Sequence, residues 1–162
     1  MPKQSVIVDT SPLQYLHQVN CLDLLQKLYS KITVPSAVCE ELQVGLLQGV
    51  DVPVISLIEW IQVVRISSPA LVPNVTDLGQ GEAEVIALGI QSPESLLILD
   101  DSLGRRIADL YQLKYTGTLG ILIKAKKLGY LDAIAPIVNQ LRAQGMWLTD
   151  KIIGDILQSA GE

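Results

Sequence analysis

A chain of 162 residues has the length of one ordinary domain, and with 49% hydrophobic residues it can bury a sizeable core. No apolar stretch approaches the roughly 18 residues of a membrane span, because Asp51, Pro53, Glu59 and Gln62 interrupt the greasiest region. The formal net charge of −5 argues against holding nucleic acid through a broad basic surface, although bound cations can neutralise the acidic pocket of a nuclease.

In chain order, Ser5-Val6-Ile7-Val8 is a continuous branched aliphatic run that ends in Asp9, the pattern of a strand buried on both faces. Met1-Pro2-Lys3-Gln4 leads straight into it without the regions of a signal peptide, which gives a cytoplasmic expectation. Ser11-Pro12 reads as the N-cap and first residue of a helix carrying Leu13, Leu16 and Val19. A second helix follows near Cys21 to Tyr29, then a short strand at Ile32 to Val34. Pro35 starts a helix that runs through Val38 and Leu42 to Gly45. Trp60 to Ile66 is the best strand in a less regular stretch, and Ser67 to Leu78, with Pro69, Pro73 and Asn74, is a loop.

The second half alternates more regularly. A helix is expected from about Gly81 to Ile90, a strand at Leu96 to Leu99, a helix through Arg105 and Leu110, a strand at Lys114 to Thr116 and a helix from Thr118 to Leu128. Two more helices, Ile134 to Ala143 and Thr149 to Ser159, complete one domain over 1–162, with the helices from about 133 packing onto it. The alternation predicts an α/β fold: a three-layer α/β/α sandwich around a parallel central sheet. Cys21 and Cys39 are too few for a disulfide framework, lack metal-ligand spacing and read as small buried hydrophobes.

The acids are placed where such sheets bind ligands, in the crevice beyond the carboxyl ends of the strands. Asp9 ends the first run and is followed by the hydroxyls of Thr10 and Ser11. Asp100 and Asp101 end the run Leu96-Leu97-Ile98-Leu99. On the helix after Pro35, Glu41 shares the buried face of Val38 while Glu40 lies nearly opposite. Glu82 and Glu84 flank the stripe Ala83, Ile86, Ala87 and Ile90 on its two edges, and periodicity does not choose between them. Helix capping or solvated helix faces would explain each acid taken singly. Gathered in one cleft they would repel one another, and a hard divalent cation is the simplest remedy.

Several segments together resemble the PIN-domain nucleases: Val8-Asp9-Thr10-Ser11-Pro12-Leu13, the stretch from Val34 to Leu42, Gly81-Glu82-Ala83-Glu84-Val85-Ile86-Ala87-Leu88, and Leu97-Ile98-Leu99-Asp100-Asp101 continuing to Gly104-Arg105-Arg106. Gly117-Thr118-Leu119-Gly120, Ala125 to Gly129 and the tail from Leu148 are similar to a prokaryotic PIN-like subfamily. The resemblance implies a metal-dependent ribonuclease acting on single-stranded RNA with Mg2+ or Mn2+, of a kind that includes toxins of toxin–antitoxin pairs and has antitoxin proteins as partners. It implies catalytic roles for Asp9, Glu41, Glu82, Glu84 and Asp100, with Asp9, Glu41, Glu84 and Asp100 as metal ligands. The superfamily usually has one aspartate where this chain has Glu82 and Glu84, so the third ligand stays ambiguous. Thr10, Ser11, Asp101 and Thr118 are supporting residues in this reading.

Arg105 and Arg106 are candidates for phosphate contacts, with a solvated face paired to Asp101 and Asp109 as the alternative. His17 is the sole histidine and reads as an exposed helix residue, so no histidine pair is available for catalysis within one chain. Tyr111, Tyr115 and Trp147 are too scattered for a stacking platform and are expected in or near the core. The apolar C-terminal helices suggest a homodimer. A catalytically silent interaction module of the same fold is the competing reading. A receiver-type phosphoacceptor would have its paired acids after the first strand, and here the order is reversed.

Overall fold

The computed structural model describes residues 4–162; Met1 to Lys3, read above as leading into the first strand, lie outside the described residues. The chain runs β1 (Val6–Val8), α1 (Thr10–Gln18), α2 (Asp23–Tyr29), β2 (Ile32–Pro35), α3 (Ser36–Leu47), β3 (Ile61–Val64), α4 (Gln80–Gln91), β4 (Leu96–Ile98), α5 (Ser102–Leu110), β5 (Lys114–Thr116), α6 (Thr118–Lys127), α7 (Ala135–Ala143) and α8 (Asp150–Ser159). Short 3-10 turns at Ile55–Leu57 and Pro69–Leu71 punctuate the irregular stretches on either side of β3.

The five strands form one sheet in the order β3-β2-β1-β4-β5, parallel throughout. This is the expected α/β architecture, with eight helices around an all-parallel sheet, consistent with a PIN-like sandwich. The reason lies in composition. Val6, Ile7 and Val8 in β1 and Leu97 and Ile98 in β4 are all buried, so the central strands have no solvent face and need helices on both sides. Ile86, Val85, Ile121, Leu122, Val138 and Leu141 complete the apolar core from the helices. No helix among the described residues is long and apolar enough to cross a membrane.

The strand order positions the site. The chain steps outward from β1 through β2 to β3, then returns to lay β4 on the other side of β1 and continues to β5. The connections after β1 and β4 therefore diverge, opening a crevice at the carboxyl ends of two adjacent strands. Asp9 follows β1 directly, and Asp100 stands two residues beyond the end of β4.

Local details depart from the sequence reading. Helix α1 starts at Thr10 with Asp9 as its N-cap residue, not at Pro12 with Ser11 as cap. His17 is half-buried, with Nε2 3.0 Å from Asp51 Oδ1, because α1 packs beside the loop after α3. Cys21 is buried but Cys39 only partly so. Trp147 and Tyr111 do not enter the core; they are 82% and 51% exposed. In the irregular link before α8, Met146 and Leu148 pack against the core while Trp147 stays exposed. Tyr111 terminates α5 at its solvent end.

Candidate active site

Asp9 is the deepest acid. Only 3% of it is exposed, yet its side chain makes no capping hydrogen bond to α1, and Oδ1 is buried without a partner. Burial pushes the Asp9 carboxyl up to about 7. The neighbouring Thr10 N–H partly offsets this, and the charges of Glu41, Asp100 and Asp101 add to it. Capping therefore does not account for Asp9. A buried polar atom left unpaired costs free energy, and its persistence points to a partner that the protein alone does not supply.

Glu82 is the second such group. It lies in the first turn of α4, and its Oε2 is buried with no partner. Burial raises its carboxyl to about 8, helped by the charges of Asp9, Asp101 and Glu41. Two acids that hold protons near neutral pH in one cleft are a recognised mark of a functional site.

Glu41 and Asp100 are held by dedicated donors. Glu41 Oε1 accepts from the Gly81 N–H at 2.8 Å and Oε2 from the Thr10 hydroxyl at 2.7 Å. A Cβ at residue 81 would sit 2.6 Å from Glu41 Oε1, so a larger residue there would displace that carboxylate. Asp100 Oδ1 accepts from the Thr118 N–H at 2.8 Å and Oδ2 from the Thr118 hydroxyl at 2.7 Å. A Cβ at residue 117 would likewise displace the side chains of Asp100 and Arg105. Both acids are thus fixed by the starts of α4 and α6, which packs the crevice with oriented carboxylates.

Glu84 is not among them. Its Oε1 accepts from the Ala37 N–H at 3.1 Å and the Ser36 hydroxyl at 3.4 Å, and Oε2 from Gln80 Nε2 at 3.2 Å. It serves as a side-chain cap for the start of α3, one of whose free N–H groups it satisfies. Of the two glutamates that flank the stripe of α4, Glu82 lines the cleft, whereas Glu84, expected as a metal ligand, is turned to the start of α3. Asp101 keeps the capping role available to it, accepting from Gly104 N–H at 3.0 Å, while its charge still reaches Asp9 and Glu82. Ser11 and Thr118 both lie at the cleft, the first on its wall and the second buried beneath Asp100.

Arg105 and Arg106 part company. Neither makes an ion pair among the described residues. Arg106 is exposed, whereas Arg105 donates from Nε to the Leu99 carbonyl at 2.9 Å, lies over the Tyr115 ring at 5.1 Å and lines the cleft. The C-terminal contribution to this cleft was missed by the sequence reading. Met146, Trp147, Ile152 and Ile156 all line it, and the period-four pair on α8 was the only available signal.

The family model of a PIN domain (DUF3368) matches residues 5–162, nearly the whole chain. The chain belongs to the PIN-domain family. No curated protein matches it significantly. PIN domains are generally nuclease-like and typically bind Mg2+ or Mn2+, so the fit of that ion to this crevice can be judged. Among the described residues no three carboxylates form a closed ligand set as they stand, since Glu41 and Asp100 lean toward their own donors. The fit is nevertheless good. Magnesium keeps several waters and needs only one or two direct carboxylates, and the unpaired oxygens of Asp9 and Glu82 are what a hydrated cation would satisfy.

The donors to Asp100 provide a direct check of this PIN-domain site. Thr118 is fully buried, so Thr118→Val keeps the shape and removes one of the two hydrogen bonds to that carboxylate. A loss of roughly 10–100-fold in manganese affinity is expected, measurable by calorimetry, with the fold unchanged by circular dichroism.

Proposed function

We propose that this PIN domain is a metal-dependent endoribonuclease that hydrolyses phosphodiester bonds of single-stranded RNA in the cytoplasm, and that it serves as the toxin of a toxin–antitoxin pair. The observation that carries the reading is the pair of buried, unpartnered carboxylate oxygens on Asp9 and Glu82 at the carboxyl end of the sheet, with Glu41 and Asp100 oriented beside them. Asp9, Asp100, Glu41 and Glu82 would hold the ion directly or through its waters. When bound, a divalent metal acidifies a water and stabilises charge on the phosphate and leaving oxygen.

The residues themselves do the remaining work. Glu41 and Asp100, fixed by Gly81, Thr10 and Thr118, keep the acidic face in place before substrate arrives. Glu82, with its raised carboxyl, is suited to exchange a proton with the attacking water near neutral pH. Arg105, held by Leu99 and Tyr115, offers a cation at the edge of the acids for a phosphate oxygen.

The test is manganese binding followed by cleavage of a single-stranded RNA, in the unaltered protein and in Asp9→Asn. Binding and cleavage that are both lost in the variant support the proposal. Cleavage that survives Asp9→Asn, or no metal affinity in the unaltered protein, overturns it. A second reading, a catalytically silent PIN domain that docks a protein partner such as an antitoxin or its own copy, draws on the exposed apolar side chains of Leu47, Val54 and Leu57 beside α3. It predicts neither binding nor cleavage in that experiment.

A further inference from the structure

The acidic crevice is one end of a larger cavity of about 730 Å³, within the roughly 300–1,000 Å³ of small-molecule sites. Glu82, Asp100 and Asp101 line one end, and Arg105 lies in the same cavity. Much of the remaining wall is apolar, from Leu119 and Ile123 of α6, Met146 and Trp147 of the link before α8, and Ile152 and Ile156 of α8, while Ser11, Thr116 and the phenols of Tyr15 and Tyr115 also line the cavity. None of this apolar wall takes part in the chemistry described above.

We infer that this wall is a nucleobase subsite, in which a base next to the scissile phosphate stacks against Trp147. The inference rests on the nuclease reading and extends it to the part of the substrate that is recognised. Three observations converge on it. Trp147 is 82% exposed although it borders a concave apolar surface, so its indole face is open to a flat ligand. Arg105 spends only Nε on the Leu99 carbonyl, and its terminal nitrogens carry no hydrogen bond among the described residues. The cavity is continuous from acids to apolar wall, so its occupant needs an anionic group and a planar apolar body joined together. A nucleotide is that kind of molecule, whereas an apolar peptide would leave Arg105 unmatched.

The same geometry explains a preference for single strands. In a duplex the faces of the bases are covered by their neighbours, and only an unpaired base can be splayed out to stack on an aromatic side chain. The wall belongs to α6, the 146–149 link and α8, so the C-terminal segment selects the substrate while the sheet edge holds the reacting phosphate.

The chain has two tryptophans, Trp60 and Trp147, so Trp60→Phe leaves Trp147 as the only indole reporter. In the full-length Trp60→Phe, Asp9→Asn protein, titration with a uridine hexamer and with an abasic oligomer of the same backbone length reads stacking without cleavage. Quenching by the hexamer and little by the abasic oligomer is expected. With an active site otherwise intact, Trp147→Ala should raise KM for the hexamer on the order of tenfold, change kcat less, and leave KM for the abasic oligomer in place; Trp147→Tyr should restore much of the loss.

Equal quenching by both oligomers, or a KM indifferent to Trp147→Ala, overturns the subsite. A variant that alters the oligomeric state in sedimentation while KM stays put also overturns it and assigns Trp147 to a contact between copies of the chain. Base-dependent quenching in a protein that never cleaves supports the subsite and removes the hydrolytic reading. Cleavage that ignores Trp147 does the reverse.

Discussion

Asp9→Asn is expected to abolish cleavage and, in the absence of divalent metal, to stabilise the protein above pH 7. The loss of activity follows from removing the carboxylate at the centre of the crevice. Several kcal/mol of metal-dependent stabilisation corresponds to a fall on the order of 10³ in kcat/KM. The gain in stability follows from linkage. Burial lifts the Asp9 carboxyl to about 7, so the folded state binds its proton more tightly than the unfolded state does. Stability is therefore fullest below the ordinary carboxylate range, falls as pH rises toward about 7, and stays reduced above it.

Glu82 adds a fall in the same direction toward about 8, although its part exposure reduces its share. Asparagine cannot ionise and escapes the penalty. Thermal melts in a chelator from pH 5 to pH 9 should show the unaltered protein losing Tm with rising pH while Asp9→Asn loses much less. Manganese should reverse the ordering, because it binds the ionised carboxylates and displaces their protons. Parallel melting curves at every pH would contradict the assignment.

The second large effect separates two glutamates two residues apart. Glu82→Gln is expected to cut cleavage by about 10²–10³, since it removes a group suited to proton exchange near neutral pH. Glu84→Gln should leave cleavage within a few-fold. Its cost falls on stability instead, about 1 kcal/mol for a weakened cap at the start of α3. Steady-state cleavage together with urea unfolding of both variants tells the two roles apart. The reverse pattern, with Glu84→Gln inactive and Glu82→Gln merely less stable, would place the catalytic acid on the wrong edge of α4.

That pair also shows where the sequence was legible and where it was not. Every strand and helix expected from periodicity is present, because buried parallel strands leave uninterrupted apolar runs and the helices keep their stripes. Asp9 and Asp100 could be placed at once, since a residue just beyond a central strand has few places to go. Glu41 could be placed from its helix face. Glu82 and Glu84 could not, because both flank the stripe of α4, and only the packing of α3 against α4 decides which points to the crevice and which reaches Ala37.

Trp147 was misread for a related reason. Large aromatics are usually buried, but in the irregular link before α8 it is Met146 and Leu148 that pack against the core. The apolar side of the cleft was invisible for the same cause, since it joins α6 to residues some thirty positions later and no local pattern records such a meeting.

The most direct test is anomalous diffraction from crystals of the unaltered protein soaked in manganese at pH 8. The expected result is an anomalous peak in the crevice between β1 and β4, with Asp9 among its ligands and Glu82 engaged directly or through a water. Manganese found only elsewhere, or absent from the crevice at saturating concentration with the Asp9 oxygen still unpartnered, would contradict the claim that these acids converge to hold a cation.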